Sequence, residues 1–211
     1  MMHMKLVILW VVMLFYPAVS DAQDYRKVDQ PDRVYAALKQ RSEKVNTIQA
    51  DFTEVRHVSY LKEPQKSSGK FYFEKKDRMR WEQTDPGSYV IMIDGSSLRV
   101  SEGGKEKNIR SAGHMTGMIR DMLLMIVRGD YQSGREFEKE LFQNEDGYRM
   151  VMTPVEKRLR QRYDRLEMLF SKSTMGLKEL VFFEKGGDRQ VLTFRNEKIN
   201  IPFDPSLFTK F

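Results

Sequence analysis

No cysteine occurs among the 211 residues of this chain, and several kinds of function go with it. Disulfide scaffolds, thiol nucleophiles and thiolate-held metal centres are excluded. So is acylation of the chain itself, because a bacterial lipoprotein carries its acyl groups on a cysteine just after its leader. Histidine is also scarce: His3, His57 and His114 are the whole complement, and none stands at metal-ligand spacing. There is no Gly-x-Ser-x-Gly turn and no phosphate-binding glycine loop. Ser67-Ser68-Gly69 and Ser96-Ser97 read as turn residues, and the carboxylates that alternate with apolar residues read as solvated strand faces. No catalytic residues, metal site or cofactor motif stand out, and the chain is expected not to be an enzyme.

An excess of one charge is missing too. Thirty-six basic residues face thirty acidic ones, for a formal charge of +6, and the two signs are interleaved, as in Glu74-Lys75-Lys76-Asp77. No nucleic-acid partner is expected, while anionic headgroups or an acidic partner fit equally well. Long apolar runs are absent but for Leu6 to Val19, which is shorter than the ~20 residues a membrane-spanning helix needs. Lys5 precedes it, Ser20-Asp21-Ala22 follows it and Gln23 comes next. A basic start, an apolar centre and a small-residue site make a signal peptide over residues 1–22, with Ala18-Val19-Ser20 as a second cleavage site. The remaining residues 23–211 form one domain with enough chain for a sizeable core. A soluble, exported, periplasmic monomer is expected.

Periodicity divides that domain into many strands and two helices. Pro31 to Lys44 reads as a helix through Val34, Leu38 and Val45, with Asp29 or Asp32 as its cap. From Thr47 the period becomes two: Ile48, Ala50 and Phe52 alternate with polar residues. Lys62 to Gly69 reads as a polar break. Phe71 and Phe73 then share one face, as do Met79 and Trp81, followed by the apolar run Tyr89 to Ile93, an Asp94-Gly95 turn and Leu98 to Ser101. Gly103-Gly104 turns the chain towards a strand at Lys107 to Arg110. Met115 to Arg128 reads as a helix carrying Met115, Met118, Ile119, Met122, Met125 and Ile126 on one stripe, stopped at Gly129-Asp130. Strands resume at Phe137 to Gln143, Tyr148 to Met152, Leu166 to Phe170, Leu177 to Phe183 and Gln190 to Arg195. Lys157 to Arg162 either docks a partner or, more simply, is a solvated basic loop, and the proline-containing tail Ile199 to Phe208 reads as a crossing of a sheet edge. The fold class is mainly β (α+β): one curved antiparallel sheet or incomplete barrel with helices against one face.

Methionine is what the chain has in plenty, with fourteen in all. A Met stripe on a helix ordinarily packs on the core, but Met is unbranched and polarizable and also recurs at apolar sites that take ligands of varied shape. The sheet face is equally open to two readings, since Phe71, Phe73, Met79 and Trp81 either fill a core or line a pocket.

Four segments in order resemble the LolA family of periplasmic lipoprotein carriers. They are Val45-Asn-Thr-Ile-Gln-Ala-Asp-Phe-Thr-Glu54, Gly69-Lys-Phe-Tyr-Phe-Glu-Lys-Lys-Asp-Arg-Met-Arg-Trp-Glu82, Val90-Ile-Met-Ile-Asp-Gly-Ser-Ser-Leu98 and Met150-Val-Met-Thr-Pro154. The resemblance implies a strongly curved, incomplete antiparallel barrel whose concave apolar face is covered by helices. It implies binding of lipoprotein acyl chains, collection of acylated lipoproteins from an inner-membrane exporter and delivery to an outer-membrane acceptor, without a cofactor. A lipid-sensing or general lipid-binding module of the same fold is the alternative. On this reading Phe71, Phe73, Met79, Trp81, Val90, Met92 and Leu98 line the cavity together with Met115, Met118, Ile119, Met122 and Met125. The family's lid is latched by a basic residue at the end of the Gly-led strand, usually Arg near a Pro. Here that position is Lys75 with no Pro, and a flexible point charge makes a weaker latch than a planar fork.

Overall fold

A computed structural model describes residues 24–75, 77–108, 124–132 and 135–211. Its strands are β1 (Arg26–Lys27), β2 (Thr47–His57), β3 (Gln65–Glu74), β4 (Arg78–Asp85), β5 (Tyr89–Asp94), β6 (Ser97–Glu102), β7 (Lys105–Glu106), β8 (Phe137–Gln143), β9 (Gly147–Pro154), β10 (Tyr163–Ser171), β11 (Leu177–Glu184) and β12 (Arg189–Ile199). They form one twelve-stranded sheet in the order β1-β8-β9-β10-β11-β12-β2-β3-β4-β5-β6-β7. Two meanders, β8 to β12 and β2 to β7, are thus joined where β12 lies antiparallel to β2. The outermost strands are two residues each and do not pair with one another, so the sheet stays open. Short edge strands leave little unpaired backbone to recruit another chain.

The helices are α1 (Pro31–Lys44), a helical segment over 124–128 (α2) and α3 (Lys157–Arg162). Pro31 at the first turn and Val34 and Leu38 on the buried side give α1 its start and its facing, but its N-cap is Gln30 with no side-chain hydrogen bond, so neither Asp29 nor Asp32 caps it. The basic segment expected as a loop is α3, because the Glu156 carboxylate accepts from the Arg158 and Leu159 N–H groups at 2.8 and 3.0 Å and Leu159 is buried. β3 begins at Gln65, within the expected break. Its polar residues pair residue for residue with β2, Ser68 opposite Thr53, and that ladder outweighs their low strand preference. The expected strand at Lys107 is instead the short Lys105–Glu106 pairing, with residues 109 and 110 outside the described set.

Register decides which side chains share a face, because directly opposed residues project to the same side. Ile48, Ala50 and Phe52 of β2 oppose Phe73, Phe71 and Gly69 of β3. Phe71 and Phe73 in turn oppose Trp81 and Met79, which oppose Ile91 and Ile93. This continuous apolar stripe is the concave face. It belongs to two clusters: a large one built on β8 to β12 with Val34 and Leu38 of α1, and a smaller one of Val45, Ile48, Phe71, Phe73, Met79 and Ile93. Trp81 and Phe194 pack against both. The sheet curves with the help of bulges between β3 and β4, β10 and β11, and β12 and β2.

The other face of β4 and β5 is covered by the C-terminal tail. Its 3-10 turn, Pro205–Phe208, packs against both strands, and Phe208 is buried. Arg80, only 6% exposed, donates to the Leu207 and Lys210 carbonyls at 3.2 and 2.6 Å and to Glu82 at 2.9 Å. Arg99 donates to the Thr209 carbonyl at 3.0 Å. The tail therefore lies along the convex side and does not cross a sheet edge. The Leu207, Thr209 and Lys210 carbonyls have no strand to pair with, and these two arginines supply the missing donors, while Thr47 Oγ1 serves the Ile201 carbonyl at 2.7 Å.

Gly69 sits at the β3–β4 bulge, where an added Cβ would lie 1.9 Å from the Glu82 carbonyl oxygen. Gly69→Ala is therefore expected to destabilise the fold by about 1–3 kcal/mol, the range of overpacking against backbone that cannot retreat. Urea unfolding followed by circular dichroism measures it.

Candidate functional site

Between the concave face and the helices lies a cavity of about 280 Å³. Its floor comes from β2 to β5 through Ile48, Ala50, Phe71, Met79, Trp81 and Ile91, and its opposite side from Phe170, Leu177, Leu180, Phe182, Leu192 and Phe194. Leu38, Ile126, Val127, Gly129 and Tyr131 roof it. Trp81 is the hub of the floor. Its ring lies 3.9 Å from that of Phe52 and 6.1 Å from those of Phe71 and Phe194, the last two in edge-on contact. Edge-on aromatic contacts hold large apolar surfaces in defined positions, so this part of the floor is pre-formed.

Polar groups stand at the two ends of the cavity. At one end Arg41 of α1 grips Glu197 with both carboxylate oxygens at 2.7 Å and donates to the Thr174 carbonyl at 3.0 Å. At the other, Arg162, Tyr163 and Gln190 border the lining. Glu197 is the one carboxylate among the lining residues, and its hydrogen bonds are taken up by Arg41. Among the described residues no group of three or more His, Asp or Glu is placed to hold a metal ion. What this lining can do is remove apolar matter from water.

The roof is tied down at its edges. α1 is fixed to the sheet end by Arg41, by Lys75 Nζ donating to the Glu43 carbonyl and by Asn200 Nδ2 donating to the Lys44 carbonyl at 3.1 Å. The 124–131 segment leans on α1: Ser42 Oγ lies 2.6 Å from the Arg128 carbonyl and 2.7 Å from that of Lys39, and its single proton serves one at a time. Gly129, at φ +63°, passes so close that a Cβ would meet the Ser42 hydroxyl at 2.9 Å. Tyr131 is buried, rests edge-on against Phe170 at 5.5 Å and donates to the Ile126 carbonyl at 2.9 Å. Burial pushes its hydroxyl far above the usual phenol range, so it stays a donor. At its outer end Arg128 pairs through two nitrogens with both oxygens of Asp77, Nε to Oδ1 at 2.9 Å, in the turn after β3.

The residues expected at the site divide accordingly. Phe71, Met79 and Trp81 border the cavity. Phe73 and Leu98 share their face but sit in the smaller cluster beyond it, and Met125, half-buried, packs on the large one. Val90 and Met92 are corrected. They oppose Glu82 and Arg80 and so lie on the convex face, where Arg80 NH1 reaches Met92 Sδ at 3.5 Å. Lys75 anchors α1 by its hydrogen bond to the Glu43 carbonyl; the side chain that ties α2 to the same turn is Asp77. Met115, Met118, Ile119 and Met122 lie outside the described residues. Ile91, Tyr131 and the four residues Leu180, Phe182, Leu192 and Phe194 were missed. The period-two alternation of the last four was visible, but nothing local tells which face of a late strand turns inwards.

Comparison with known proteins adds four findings. A family profile described as "Outer membrane lipoprotein carrier protein LolA" matches residues 43–210. The chain is 26% identical over 173 residues, 81% of its own length and 80% of the other, to an outer-membrane lipoprotein carrier protein of Methylococcus capsulatus. Among solved structures it is similar to a LolA-superfamily protein from Nitrosomonas europaea, at 11% identity and a TM-score of 0.45 over 83% of this chain and 97% of that one. It is similar as well to the Mycobacterium tuberculosis lipoprotein LppX, at 11% identity and a TM-score of 0.45 over 84% and 99%.

The Asp77–Arg128 pair is half-exposed, at 33% and 49% of its side-chain areas. A double-mutant cycle with Asp77→Ala and Arg128→Ala is expected to give a coupling of only about 0.2–1 kcal/mol, as solvent-screened pairs do. Each variant should nevertheless take up a hydrophobic dye faster in stopped-flow fluorescence, and more so at low salt.

Proposed function

The chain belongs to the LolA family, and on that footing we propose that it is a periplasmic carrier of lipoproteins. It shields their acyl chains in the cavity beneath α1 and the 124–131 segment while they travel from the inner membrane to the outer one. The observation that carries this reading is the apolar cavity on the concave face, with Trp81 and Phe194 at its centre. A signal peptide over residues 1–22 would deliver the chain to the periplasm, and no helix among the described residues is long and apolar enough to cross a membrane.

The task is one of transfer free energy. Each buried methylene contributes ~0.8 kcal/mol, so a molecule with several acyl chains does not leave a bilayer for water on any useful timescale. A preformed apolar lining lowers that barrier without covalent chemistry, and no turnover is expected. Loading would come from an inner-membrane exporter and unloading would go to an outer-membrane acceptor.

Mixing the purified protein with a triacylated lipoprotein and recording native mass spectra tests the proposal. A one-to-one complex that passes its cargo to acceptor membranes is expected. Binding of free lipid but never of lipoprotein would instead support a general lipid-binding or lipid-sensing module, and no acyl binding at all would sink both readings.

The chain contains two tryptophans, Trp10 and Trp81. With the leader removed, Trp81 alone reports on the cavity floor. Lipoprotein carrying brominated acyl chains should quench its fluorescence. Phe194→Ala should weaken that binding about tenfold or more, since burying an aromatic side chain contributes about 1.5–3 kcal/mol and 1.4 kcal/mol is a factor of ten.

A further inference from the structure

The β2–β3 loop (58–64), the β11–β12 turn (185–188) and the α3 connection come together at one end of the sheet. The Ser59 N–H donates to Asp188 Oδ1 at 2.9 Å, which joins the loop to the turn. The Lys185 N–H donates to the Arg162 carbonyl at 2.8 Å, which joins the turn to the last residue of α3. Arg56 of β2 and Arg162 of α3 both approach Glu184, at 3.6 and 3.8 Å. This is also the end where Arg162, Tyr163 and Gln190 border the cavity.

Large hydrophobic residues are exposed at few places in the described structure, and three of them are here: Tyr60 at 83%, Leu61 at 41% and Val155 at 40%. Tyr60 and Leu61 form the tip of the loop and are followed by Lys62 and Glu63, so the net positive charge of this end comes from α3. Val155 leads into α3, whose Lys157, Arg158 and Arg160 are exposed and make no ion pair among the described residues. The acid of that segment, Glu156, is turned back to cap the helix.

Exposed apolar residues scattered singly need no explanation, but apolar tips set among cations match a charged lipid interface. Such tips enter the headgroup layer while the basic residues are drawn by its negative surface potential. The three apolar residues stand on two connections, Tyr60 and Leu61 on the β2–β3 loop and Val155 before α3, an arrangement that suits a laterally uniform surface better than a folded partner.

We propose that this end of the protein docks on an anionic bilayer surface. Docking there turns the Arg162–Tyr163–Gln190 end of the cavity towards the headgroups. An acyl chain entering or leaving by that end would then not cross open water. The direction of cargo movement rests on the carrier reading; the docking itself does not.

Flotation of the purified protein with vesicles tests it, using phosphatidylethanolamine with phosphatidylglycerol against phosphatidylcholine alone. Binding to the anionic vesicles is expected, weakened by added salt. The triple variant K157E/R158E/R160E should bind them at least about tenfold more weakly, and Y60S/L61S several-fold more weakly. All these positions are outside the cavity lining, so both variants should keep the wild-type circular dichroism and one-to-one lipoprotein binding. Failure of the wild type to float with anionic vesicles overturns the proposal. So does a triple variant that floats as well as the wild type yet loses cargo delivery, an outcome that would name an acidic protein as the occupant. Flotation without any lipoprotein binding would remove the carrier reading and leave the docking in place.

Discussion

An open sheet cannot cover its own concave face, and the apolar side chains there must be kept from water by something else. In a small closed barrel the inward side chains of opposite strands meet and fill the interior. Here β1 and β7 stay apart, so α1 and the 124–131 segment take the place of the missing wall. Among the described residues the two apolar clusters are bridged by side chains that pack against both, Trp81 and Phe194. The cavity exists because that bridge is a row of rings and not a packed layer.

Much of this was legible in the sequence, and the parts that were not share a physical reason. Period-two alternation located β2, β4 and the late strands because apolar residues recur at every second position along one face of each, even where, as at Arg80, the other face is covered as well. It failed for Tyr89 to Ile93, which is apolar on both sides. Val90 and Met92 are buried under the tail while Ile91 and Ile93 face inwards, and only the pairing with Trp81 and Met79 tells them apart. A strand covered on both faces carries no local sign of which face is which. The polar start of β3 was hidden for a different reason: its residues are held by ladder hydrogen bonds, a non-local term.

The edge of the roof shows how a fold can preserve an arrangement while changing its parts. A basic residue at the end of β3 was expected to hold the lid. Lys75 holds α1 instead, and the tie to α2 runs from Asp77 to Arg128, with the cation on the helix and the anion on the sheet. The resemblance pointed to Lys75 by its place in the strand, and nothing local pairs Asp77 with a partner fifty-one residues away. An exposed, salt-screened pair is a weak fastening, beside the Ser42 and Tyr131 contacts nearer the centre that define how the segment sits.

The convex side carries a consequence for how such a chain can vary through descent. Arg80 and Arg99 hold the tail by its carbonyl oxygens, which every amino acid supplies alike. Replacements at Leu207, Thr209 or Lys210 leave those acceptors in place, whereas a replacement at Arg80 strands two of them at once. Lineages should therefore accumulate differences at Leu207, Thr209 and Lys210 faster than at the two arginines, with the tail's path over the sheet unchanged.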